Sequence, residues 1–136
     1  CMQTQEFLGQ VQDKAHLATL GEAMRATRAT LETLAERLGP DEAQQLAARL
    51  PQELQLLLIE GSALLPERFS SNEFLLRVCA REGIDLSEST DHARVVIDVL
   101  AHAVPADEAS DVFDGLPDDY RRLLPAYLCA STTSSR

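Results

Sequence analysis

The chain repeats itself. The segment from Glu6 to Leu58 returns, with most apolar positions kept in type, from Glu73 to Leu124. Glu6-Phe7-Leu8 with Val11 matches Glu73-Phe74-Leu75 with Val78 at a spacing of 67 residues. Beyond that point the spacing is 66: Leu31/Ile97, Leu34/Leu100, Asp41-Glu42-Ala43/Asp107-Glu108-Ala109 and Leu50-Pro51/Leu116-Pro117. One residue has been gained or lost in the loop ahead of the second helix. A repeat of this length constrains architecture more tightly than any local propensity, because both copies have to build the same elements. The pattern predicts an all-α chain of two pseudo-symmetric four-helix repeats packed as one domain across residues 1–136. The units span 4–60 and 70–125, with a bridge at 61–69 and a small polar tail at 126–136.

Helical spacing recurs in every segment. The first helix of each unit carries Phe7, Leu8, Val11 and Ala15, or Phe74, Leu75, Val78 and Cys79, one apolar stripe at period 3.6. Ser70-x-x-Glu73 has the form in which hydroxyl and carboxylate satisfy each other's orphan amides. The second helix opens at Thr19 or Asp85, with Glu22 or Glu88 three residues on. Its stripe is Thr27, Thr30, Leu31, Leu34 and Leu38 in one copy, and Ala93, Val96, Ile97, Leu100 and Val104 in the other. Gly39-Pro40 and Pro105 end it, since proline lacks the amide hydrogen and crowds the preceding turn. Asp41-Glu42 and Asp107-Glu108 then place acids where a helix dipole is positive. Pro51 and Pro117 open the fourth helix, where a missing N–H costs nothing. No segment alternates with period two, so no sheet is expected.

Composition removes several functions. A net charge of −10 is shared by both halves: nine acids face five bases through Pro66, and thirteen face seven beyond it. Such a surface repels phosphate backbones and anionic membranes, and no Lys/Arg run provides a local footprint. The expectation is therefore no nucleic acid and no membrane partner. No apolar stretch approaches the roughly 20 residues of a membrane span, and no secretory segment is expected from the opening residues. Three widely spaced cysteines, Cys1, Cys79 and Cys129, show no metal or disulfide spacing and suggest reduced thiols in a cytoplasm.

These residues carry a resemblance. Glu6-Phe7-Leu8 with Val11, the run Arg25 to Leu34, Glu36-Arg37-Leu38, Leu50-Pro51 and Glu73-Phe74-Leu75 resemble the bacterial domain of unknown function family 2267, from about Thr4 to Leu124. The resemblance implies a small, all-helical bacterial protein with a tandem repeat. It brings no catalytic residues to carry over.

Candidate sites are few. Arg28/Glu32 and Arg94/Asp98 are charged pairs kept in both copies, four residues apart on one helix face. They read either as ordinary intrahelical pairs or as an anion-holding groove between the repeats, with His92 as a further contributor. Adjacent acids such as Asp41-Glu42 point about 100° apart and do not converge on a metal. His16, His92 and His102 occupy unmatched positions, and no metal or cofactor is expected. No Gly-x-Ser-x-Gly elbow or activated cysteine marks a nucleophile. The fourth helix of the first unit is apolar at Leu56 and Ile59, where the second has Arg122 and Pro125. That spare face suggests a non-enzymatic interaction module, binding a protein partner or a second copy of itself. The alternative is a small-ligand binder or enzyme with its site between the units.

Overall fold

The computed structural model describes residues 3–38, 40–61, 69–104, 107, 108, 112, 120 and 123. Six helices follow in order: α1 Thr4–Ala15, α2 Leu20–Arg37, α3 Pro40–Ala47, α4 Gln52–Gly61, α5 Ser71–Glu82 and α6 Leu86–Ala103. The described residues contain no strand. α1 and α5 each have 12 residues, and α2 and α6 each have 18. The third and fourth helices expected in the second unit, most of the bridge, and the tail lie outside the described residues, apart from the isolated positions above.

Local chemistry sets the helix ends. The Thr19 hydroxyl accepts the Glu22 amide at the start of α2, and Glu22 Oε1 accepts the Ala18 amide at 3.1 Å. Ser70 Oγ accepts the Glu73 amide, but the Glu73 carboxylate does not return to Ser70 as a closed capping box would have it. It takes Arg77 Nε at 2.9 Å instead, a stronger charge-assisted bond one turn along the helix. Asp85 stands in the extended cap conformation of α6 without a side-chain cap bond. α1 and α5 both end in a left-handed residue, His16 at φ 57° and Gly83 at φ 72°, positions 67 apart in sequence. Pro40 opens α3, whereas Pro51 stands one residue ahead of α4 and lends its carbonyl to the Leu54 and Gln55 amides. The sequence expectation of Pro51 as first helical residue is thus off by one.

One apolar core joins α1, α2, α4, α5 and α6. Phe7, Val11, Leu31, Leu34, Leu54, Leu58, Phe74, Val78, Val96, Ile97 and Leu100 are all buried in it. α2 is the hub, packing against α1, α4, α5 and α6, while α1 also meets α6 and α3 lies on α4. Its small buried residues, Ala23, Ala26, Thr27, Ala29 and Thr30, let several neighbours approach one helix closely. The Thr27 and Thr30 hydroxyls are buried with no hydrogen-bond partner among the described residues. Phe69, ahead of α5, ties remote positions together. Its carbonyl accepts Tyr120 Oη at 2.7 Å and Arg37 Nε at 3.2 Å, and its ring carries the Arg77 guanidinium 4.1 Å away.

Candidate functional site

α2 and the last turn of α5 enclose a half-open cavity of about 350 Å³. Its α2 wall is one stripe of that helix: Gly21, Met24, Arg25, Arg28, Ala29 and Glu32. Arg81 and Glu82 close the far side. Helical periodicity explains the arrangement, since positions 21, 25, 28 and 32 share a face, and the opposite face of α2 is spent on the core.

The charges on this wall are unequally engaged. Arg81 is fixed, with Nη1 donating to the Thr33 hydroxyl at 2.6 Å and Nη2 to Glu36 at 2.8 Å. Arg28 is 63% exposed and only 3.9 Å from Glu32, a loose pair that contributes little in water. Arg25 forms no ion pair among the described residues. Three of the twelve basic side chains of a −10 protein therefore meet at one cavity.

Glu82 is the unusual member. It is 5% exposed, and its Oε2 lies 2.8 Å from His92 Nδ1 on α6, itself buried. Burial pushes the Glu82 carboxyl above its usual range, opposed by the nearby His92, the Ser89 hydroxyl and Arg25. Oε1 and Ser89 Oγ complete no hydrogen bond, although the hydroxyl is close enough to favour the charged carboxylate. An acid on Nδ1 of a histidine is the arrangement that orients a general base. Here the acid and not the imidazole reaches the cavity, and no described side chain hydrogen-bonds His92 Nε2. The dyad is a buried polar joint between α5 and α6.

The residues singled out by sequence are dispersed. Arg28 and Glu32 line the cavity, whereas Arg94 and Asp98 do not. Asp98 takes Lys14 Nζ at 2.8 Å from α1, with His102 Nδ1 at 3.4 Å, so this acid is occupied by other partners. The cavity joins Arg28 to Arg25 and Arg81 and not to Arg94. Glu108, expected to complement a helix dipole, accepts two hydrogen bonds from Arg49, at 3.1 and 2.6 Å. Cys79 is a free thiol donating to the Ile84 carbonyl. No group of three or more His, Cys, Asp or Glu gathers for a metal ion among the described residues. Leu56 and Ile59 are exposed, at 48% and 43%, while Leu54 and Leu58 on the opposite side of α4 are wholly buried.

Sequence reasoning missed Arg25 and Glu82, because it searched for charges kept at both aligned positions, and it passed over Arg81, whose aligned residue is Lys14. The signal lay in their divergence: Arg25 aligns with Asp91, and Glu82, on the buried stripe of α5, aligns with Ala15. Among the described residues no helix is long and apolar enough to cross a membrane. A search of curated proteins found no match to the chain. The profile of one family, described as "Uncharacterized conserved protein (DUF2267)", matches residues 4–123, and the chain belongs to that family.

Proposed function

We propose that the chain is a non-enzymatic binding module of the bacterial cytoplasm, built of two matched helical units that close on each other and leave the outer face of α4 for a partner. The observation that carries it is α4 itself, with Leu54 and Leu58 buried on one side and Leu56 and Ile59 exposed on the other. A helix apolar on both sides has more greasy surface than a monomer's fold requires. Pseudo-symmetry is supported by the equal lengths of α1 and α5 and of α2 and α6. It is also supported by the pairing of α1 with α6 and of α2 with α5, contacts that exchange under a twofold.

The partner is a basic amphipathic helix and not a second copy. Two chains of −10 each repel, while exposed Glu53 beside Leu56 attracts a cationic flank. Docking follows the helix-in-groove mode, with anchors at helical spacing. The test compares the intact chain with Leu56→Asp/Ile59→Asp for binding a leucine/lysine amphipathic peptide by fluorescence anisotropy. Saturable binding, weakened at least about tenfold in the variant with helicity retained, is expected; tenfold corresponds to about 1.4 kcal/mol. Equal binding by both proteins refutes the reading. Unfolding of the variant assigns the face to the core instead.

A further inference from the structure

We infer that the cavity between α2 and α5 is a binding site for a small phosphate- or carboxylate-bearing molecule with an apolar edge. Arg25 and Arg28 stand three residues apart on one face of α2, one without an ion pair among the described residues and the other only 3.9 Å from a surface carboxylate. Guanidinium groups present planar forks of N–H donors that match the oxygens of carboxylate and phosphate. Gly21 places the second residue of α2, at the positive end of that helix, on the same wall. Arg81, clamped by Thr33 and Glu36, holds a guanidinium on the opposite wall without having to move, its charge offset in part by Glu36.

The two acids on the wall do not cancel this. Glu32 is the loose partner of Arg28, and an incoming oxyanion competes with it for that guanidinium. Glu82 turns Oε2 toward His92 and attracts Arg25 through its charge without an ion-pair contact, which leaves three guanidinium groups to two carboxylates on the wall. Met24 and Ala29, also on the wall, supply the apolar edge. About 350 Å³ falls at the small end of ligand pockets and suits a compact aromatic or short aliphatic acid, not a polymer. The same combination does not recur at the aligned positions: that of Arg25 is Asp91, and those of Arg81 and Glu82 are Lys14 and Ala15. The site also lies apart from α4, so it is independent of the docking face.

The experiment is an NMR titration of the full chain with phenyl phosphate, inorganic phosphate and benzyl alcohol, following the Gly21 amide and the Arg25 and Arg28 Nε–H signals. Phenyl phosphate is expected to give saturable shifts at these groups, inorganic phosphate weaker shifts at the same groups, and benzyl alcohol none. Arg25→Gln/Arg28→Gln, both exposed, should weaken phenyl phosphate at least about tenfold while circular dichroism shows the helices retained. Raising salt from about 50 to about 200 mM should weaken it as well. Leu56→Asp/Ile59→Asp should leave it unchanged. No saturation by about 10 mM, where even millimolar affinity is visible, overturns the site, as does equal binding by the arginine variant. Binding of benzyl alcohol as tight as that of phenyl phosphate overturns the oxyanion. Inorganic phosphate binding as tightly as phenyl phosphate overturns the apolar edge.

Discussion

Removing His92 isolates a buried carboxylate, and the structure bounds the consequence. In His92→Ala, Glu82 stays 5% exposed but loses the imidazole 2.8 Å from Oε2, its one completed side-chain hydrogen bond. Breaking a buried pair by deleting one partner costs about 3–5 kcal/mol. The escape is protonation: from the ordinary carboxyl value of 4.5, neutralising Glu82 at pH 7.5 costs about 4 kcal/mol at 1.36 per unit. Arg25 still favours the charged carboxylate, which points to the lower end of the range. The variant should lose about 3 kcal/mol at pH 7.5 and about 1 at pH 5.0, where protonation is nearly free.

The sign follows from linkage. A carboxyl whose folded value is raised binds its proton more readily in the native state. Its contribution is therefore favourable at low pH and lost as pH rises through the raised value. His92 opposes that shift, so its removal steepens the dependence. Urea unfolding followed by circular dichroism at the two pH values measures both quantities. A loss below about 1 kcal/mol at pH 7.5, or one that does not change with pH, refutes the account of a buried and dependent carboxylate.

Two further predictions concern the core. Thr30 buries a hydroxyl without a partner among the described residues, and the aligned position holds Val96. Thr30→Val should raise stability by about 1 kcal/mol, read from the urea midpoint, and a loss would mean that the hydroxyl has a partner. Leu34→Ala and Leu100→Ala, at matched positions and both wholly buried, should each cost about 2–5 kcal/mol by the same assay. A negligible change at either would remove it from the core.

Much of the helix plan was legible because the apolar stripes of α1 and α2 recur in the sequence of α5 and α6. Phe7/Phe74, Leu31/Ile97 and Leu34/Leu100 are buried at equivalent places. Thr19 and Ser70 cap the helices they precede in sequence. The cavity was less legible, for a physical reason. Matching of aligned positions finds shared packing residues, whereas this site includes two that differ, Arg25 against Asp91 and Glu82 against Ala15. Pairing across the fold was also hidden. Four-residue spacing suggested Arg94 for Asp98, but Lys14, 84 residues away in sequence, reaches it at 2.8 Å. Spacing along one helix says nothing about a cation arriving from another.

Helices α1, α2, α4, α5 and α6 share one core through α2 and should unfold together. Native-state amide hydrogen exchange tests this most directly. The slowest amides of α2 and α6 should open with free energies equal within about 0.5 kcal/mol and with the same dependence on denaturant. Protection that survives in α1 to α4 while α5 and α6 exchange freely would contradict it.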